Sequence, residues 1–196
     1  MDALTPDALV AAGRAMHARG WVPATSGNLS VRHPEGGLHI TPSGADKGAL
    51  VASAFVRVGA NGEAHGGAPS AELGLHQLVY TRDAEAQVVL HAHSSNAVLL
   101  SRRVGDEVIL QGFELQKALR GIVTHDAVVR IPVLDNDQDM AALAPRVAAA
   151  LDRTGSRWAF VLRGHGIYAW GRTVPEALRH LEALDVLFAC ALAESA

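Results

Sequence analysis

The hydrophobic positions of the chain change period several times, and each change predicts an element. Thr5-Pro6-Asp7 is a helix-start signal; Leu9, Gly13, Met16 and His17 continue one face until Gly20 closes it. Short alternating segments follow, "NLSVRH", "LHIT" and "AFVRVG", separated by glycine-rich turns such as "PEGG", which predicts strands joined by tight connections. Helical spacing returns with Leu75, Leu78 and Val79 in "SAELGLHQLVYTR". The apolar run "VVLHAH" then reads as a buried strand, and a helix is expected from about Ser94 to Arg102. "AVVRIPVLD" and "WAFVLRG" predict two more strands, flanking a helix within "DQDMAALAPRVAAALDRT" that Pro145 is expected to kink or to start late. The last helix is the clearest: Thr173 and Glu176 form a capping-box pattern before the stripe Leu178, Leu181, Leu184, Leu187 and Phe188.

Helices at both ends, strands between them and few long crossovers imply an α/β fold. Its expected form is a three-layer α/β/α arrangement around a central, mainly antiparallel sheet. With 196 residues and no linker-like break, one domain spanning 1–196 is expected.

Composition narrows the function. Hydrophobic residues make up 49% and charged residues 19% of the chain, and the net charge is −3, which supplies no broad cationic face for nucleic acid. The start "MDALTPDALVAAG" lacks a basic segment followed by an apolar block, and no apolar run reaches the roughly 20 residues a membrane span needs. The single cysteine, Cys190, excludes an internal disulfide and reads as a small core residue. A cytoplasmic protein without nucleic-acid or membrane partners is expected.

The chemistry begins at "HAH". His91 and His93 lie two apart at the end of a strand, where side chains share a face with Cα atoms roughly 6.5 Å apart, so both imidazoles can reach one cation. His165, between two glycines in "RGHG", is a third donor or an ordinary turn histidine. Three neutral imidazoles with one open position make a catalytic zinc site, at Zn–N distances of about 2.1 Å. The other seven histidines read as surface or packing residues. The loops "ATSGNLSV", "ITPSGADKG" and "APSAELG" can turn backbone N–H groups and hydroxyls toward a phosphate, with Lys47 adding a charge, or can be plain turns. Two carboxylates stand near these segments. Glu72, at a helix start, is suited to the helix dipole. Glu114, in the apolar and amide-rich "LQGFELQKAL", is either an acid–base group with raised proton affinity or part of a solvated face.

"TSGNLS", "TPSGADK", "PSAE", "HAHSSN" and "HGIYAWG", in this order, resemble the class II aldolase and adducin family over nearly the whole chain. The resemblance implies His91, His93 and His165 as ligands of one divalent metal per subunit, usually zinc, and places Asn28, Ser43, Gly44, Lys47 and Ser70 around a substrate phosphate. It also implies a homo-oligomer, commonly a cyclic tetramer, and the modest length of the chain suits a site at a subunit boundary. Within the family, "GFELQKAL" and "IPVLDNDQDM" are most similar to the dehydratases of methionine salvage, which act on a methylthio-substituted ketose 1-phosphate. There the acid–base glutamate falls on Glu114. Sugar-phosphate aldolases of the family rely instead on the glutamate at Glu72, and on carboxyl-terminal tyrosines that find no match here. An aldolase or epimerase, and a noncatalytic adducin-like module, are the alternatives.

Overall fold

The computed structural model describes residues 4–194, so the outermost ends of the expected 1–196 unit lie outside the described residues. Five helices, α1 (Pro6–Ala18), α2 (Leu73–Arg82), α3 (Ser95–Ser101), α4 (Met140–Thr154) and α5 (Val174–Glu194), accompany nine strands. The strands are β1 (Asn28–Arg32), β2 (Leu38–Ile40), β3 (Val56–Val58), β4 (Ala64–His65), β5 (Val88–Ala92), β6 (Glu107–Leu110), β7 (Val129–Leu134), β8 (Ala159–Leu162) and β9 (Gly166–Gly171). They form one sheet in the order β4-β3-β2-β1-β5-β9-β8-β7-β6. Among the described residues, only β7 and β8 pair in parallel.

Side-chain alternation divides the interior into two layers. Leu29, Val31, Val88, Leu90, Ile167 and Ala169 pack beneath α1, α3 and α5. Val89, Phe160, Leu162, Tyr168 and Trp170 pack with α2 and α4 on the opposite face. The expected α/β architecture with helices on both faces is therefore present. No helix among the described residues is long and apolar enough to cross a membrane.

Several boundaries differ from the sequence expectation. β9 lies at the centre of the sheet, yet the sequence reading assigns no element to its residues "GIYAWG". Both of its faces are covered and all six residues are buried, so the polar–apolar alternation that marks a one-sided strand is missing. β6 and the two-residue β4 also escape notice, being short and at or near the sheet edges. α4 begins at Met140 and runs through Pro145. Asp139 caps it by accepting from the N–H groups of Ala141 and Ala142 at 2.9 and 3.1 Å, and Pro145 removes one hydrogen bond without ending the helix. In α1 the buried stripe is Leu9, Ala12, Gly13 and Met16, while His17 faces solvent. At α5, Thr173 Oγ1 accepts from the Glu176 N–H at 3.2 Å, but the Glu176 carboxylate turns to Arg172, so only half of the expected capping box forms.

One glycine is fixed by close approach. A Cβ at Gly166 would stand 2.3 Å from the Ala92 carbonyl oxygen across the β5–β9 pair. Gly166→Ala must push the two central strands apart and should cost about 3 kcal/mol, whereas Gly62→Ala, in open space at φ +83°, should cost about 1 kcal/mol. Urea unfolding of the two variants checks the contrast.

Candidate metal centre

β5 pairs antiparallel with β9, setting His91 opposite Tyr168 and Ala92 opposite Ile167. His93 follows the end of β5 and is anchored by its N–H donating to the Trp21 carbonyl at 2.7 Å. His165 sits in the turn that joins β8 to β9. Arg163 fastens that turn: its guanidinium donates to the Val104 and Gly105 carbonyls at 2.8 and 2.9 Å, to the Ser101 carbonyl, and to the Asp135 carboxylate at 2.7 Å. Three histidines separated by as many as 74 positions thus meet at one point.

Their hydrogen bonds settle which nitrogens face inward. His91 donates from Nδ1 to the Ile167 carbonyl at 3.1 Å, and His165 from Nδ1 to Asn136 Oδ1 at 3.1 Å. Both Nε2 atoms therefore carry lone pairs. Yet His91 Nε2 lies 3.3 Å from His165 Nε2 and 3.0 Å from His93 Nε2. Facing lone pairs at that separation repel unless a cation lies among them. A tetrahedral zinc with bonds of about 2.05 Å has ligand–ligand edges of about 3.3 Å, so the donor set fits a divalent ion. Burial, then repulsion from His93 and His165, holds His91 well below the ordinary histidine range; burial, then repulsion from His165, brings His93 to about 4. Both are neutral at physiological pH, which is the ligating form.

A carboxylate completes the cluster. Glu72 places Oε2 3.4 Å from His91 Nε2 and Oε1 3.2 Å from His165 Nε2, and Oε2 accepts from Asn28 Nδ2 at 2.6 Å. Although Glu72 stands at the start of α2, its side chain makes no capping hydrogen bond; the dipole role expected of it yields to the metal centre. Tyr168 stacks on His91 with ring centroids 4.0 Å apart, and its hydroxyl is buried beside the Glu72 carboxylate.

Above the cluster opens a cavity of about 480 Å³. Asn28, Ser43, Gly44, Ser70, His93 and His165 line it, together with Glu72, Asn136 and the Thr25–Gly27 loop. Two expected residues are elsewhere. Lys47 is fully buried, and its ammonium donates to the Thr25 and Ala45 carbonyls at 2.5 Å each, bracing the loop from behind. Burial lowers its proton affinity. Glu114 lies on an exposed 3-10 turn (Glu114–Ala118), outside the cavity lining, with its carboxylate 2.5 Å from Lys117 Nζ. The hydrogen bond from Lys117 moves its proton affinity down, opposite to the sequence expectation. Lys117, three residues on in the same turn, is the partner that holds the carboxylate at the surface. The roles of Asn136 and Tyr168 depend on strand pairings that the sequence does not display, β7 with β8 for the one and β5 with β9 for the other.

The sequence profile of the Class II Aldolase and Adducin N-terminal domain matches residues 7–192. This chain belongs to that family. Among curated family members, the methylthioribulose-1-phosphate dehydratase of Pectobacterium carotovorum is 50% identical over 94% of this chain and 92% of its own. That of Yersinia enterocolitica is 48% identical over 94% of this chain and 90% of its own. Among solved family structures, L-fuculose-1-phosphate aldolase from Thermus thermophilus superposes with a TM-score of 0.78 at 30% identity, covering 97% of this chain and 95% of that one.

Two outcomes test the centre. Titration with zinc, cobalt or manganese should saturate at one ion per chain in the native protein and fail in His91→Ala; Asn136→Ala, which frees the His165 ring, should weaken binding about 10- to 100-fold. Separately, burial holds His76 at about 4 against 6.5 unfolded. The folded chain then binds fewer protons than the unfolded one, so stability is complete above pH 6.5 and falls as the pH drops toward 4, by about 3 kcal/mol. Denaturation of native and His76→Gln protein across that window should show the smaller loss in the variant.

Proposed function

We propose that this chain dehydrates 5-methylthioribulose 1-phosphate to 5-methylthio-2,3-dioxopentyl 1-phosphate, a step of methionine salvage, as a cytoplasmic homotetramer carrying one zinc per subunit. The observation that carries the reading is the convergence of three imidazole Nε2 atoms and the Glu72 carboxylate at the floor of a cavity walled by hydroxyl, amide and backbone groups. Identity near 50% to dehydratases of that name supplies the substrate. A divalent ion held by His91, His93 and His165 supplies Lewis-acid stabilisation of the charge that develops on the ketose oxygens.

The chain's own groups do the rest. Hydroxyls of Ser43 and Ser70, the Asn28 amide and the backbone at Gly44 orient the phosphate end. No lysine or arginine lines the cavity among the described residues, so these neutral donors do that work. Glu72, at the cluster, is placed to receive the C3 proton. Departure of the C4 hydroxyl requires an acid, and we assign it to Glu114 of a neighbouring copy. In support, Glu114 is exposed on a segment that also exposes Ile109, Leu115, Val123 and Val128, apolar side chains suited to a subunit contact. Loss of water leaves an enol that tautomerises to the 2,3-diketone.

Incubation with the methylthio substrate should release one water and give the diketone phosphate, with chelation abolishing turnover. Carbon–carbon cleavage to dihydroxyacetone phosphate would instead make the chain an aldolase. Glu114→Gln and Glu72→Gln should each lower kcat by about 100-fold or more. Mixing refolded Glu114→Gln with His91→Ala chains should recover part of the activity, and no recovery at all would remove Glu114 from the neighbour's site.

A further inference from the structure

Behind the metal centre a buried chain of hydrogen bonds runs to Glu72 from Tyr80, Ser30 and His76, three residues that the proposed chemistry does not use. Tyr80 OH stands 2.7 Å from Ser30 Oγ, Ser30 Oγ 2.7 Å from His76 Nδ1, His76 Nε2 2.5 Å from Asn28 Oδ1, and Asn28 Nδ2 2.6 Å from Glu72 Oε2. Ser30 and His76 are fully buried, Asn28 and Tyr80 nearly so. None of Ser30, His76 or Tyr80 lines the cavity.

The direction of every bond follows from its last member. A carboxylate only accepts, so Asn28 must present its amide N–H to Glu72 and its carbonyl to His76. His76 must then carry its proton on Nε2, leaving Nδ1 to accept from the Ser30 hydroxyl. Ser30, having spent its hydrogen, accepts from Tyr80. The alternative tautomer would set a bare ring nitrogen against Asn28 Oδ1 at 2.5 Å, and relief would require the amide to flip and turn its oxygen on the carboxylate. Asn28 pairs with His91 in the β1–β5 ladder, which fixes the backbone from which its amide reaches both partners.

We infer that His76 is a positioning residue: through the fixed Asn28 amide it holds Glu72 Oε2 in place and leaves Oε1 directed at the reacting centre. The kinetic consequence rests on the dehydratase reading, whereas the proton position does not. His76 is drawn down to about 4 by burial, consistent with a single neutral tautomer at working pH.

The test combines spectroscopy and kinetics on the metal-loaded, full-length protein. Nitrogen-15 correlation spectra at pH 7.5 should show His76 protonated at Nε2 and bare at Nδ1. His76→Leu, which removes the donor, should lower kcat about 100-fold while KM moves less than about threefold and one ion per chain is retained. His76→Gln, whose amide can donate to Asn28, should recover kcat to within about tenfold of native. A proton on Nδ1, a Leu variant within about threefold of native kcat, or a Gln variant no better than Leu overturns the inference. If the Leu variant does not fold, the Gln variant and the tautomer decide. Should native protein turn over no methylthioribulose phosphate, the functional reading fails and the tautomer still decides this one.

Discussion

The pairing of β5 with β9 is the constraint on which the rest depends. These two strands come from distant parts of the chain, and their register alone sets His91 against Tyr168 and carries His165 back over the end of β5. A shift of one residue would turn His91 to the opposite face, into the layer beneath α1, α3 and α5. Burial on both faces makes such a slip prohibitive, since it would move Tyr168 and Trp170 into space shaped for Ile167 and Ala169. The metal centre is therefore specified by packing as much as by its ligands.

Around that register the molecule arranges supports of different kinds. Backbone carbonyls fix one histidine, a side-chain amide fixes another, and Arg163 ties the connecting turn to the segment after α3. Lys47 works in the same sense on the opposite wall, where Ala24 and Thr25 adopt positive φ angles of 50° and 61°. Non-glycine residues in that region persist only where their surroundings hold them, and a buried ammonium bound to the Thr25 carbonyl is such a restraint. The cavity wall is thus preorganised before any ligand arrives.

Much of this was legible in the amino-acid order. The helices that cover the sheet announce themselves through caps and 3.6-residue stripes, and the strands with one polar face through alternation. "HAH" and "RGHG" mark the three converging histidines because strand geometry and glycine flanks are local properties. What stayed hidden was whatever depends on partners far along the chain. β9 has no alternation because both of its sides are interior. Glu72 looked like a dipole residue because its neighbours in space, His91 and His165, are remote in sequence. Lys47 looked like a phosphate ligand because its charge is visible in sequence and its enclosure is not. His76 passed for packing, and it is indeed buried, but its two ring nitrogens are both engaged.

The cavity lining, which holds carboxylates and no lysine or arginine among the described residues, carries an implication for loading order. The charged side chains that line it are the carboxylates of Glu72 and Asp137, which repel a dianion. Only once a dication offsets them does the local potential turn attractive. Ion and substrate should consequently enter in sequence, the metal first, and a chain stripped of its ion would turn phosphorylated sugars away rather than merely fail to convert them.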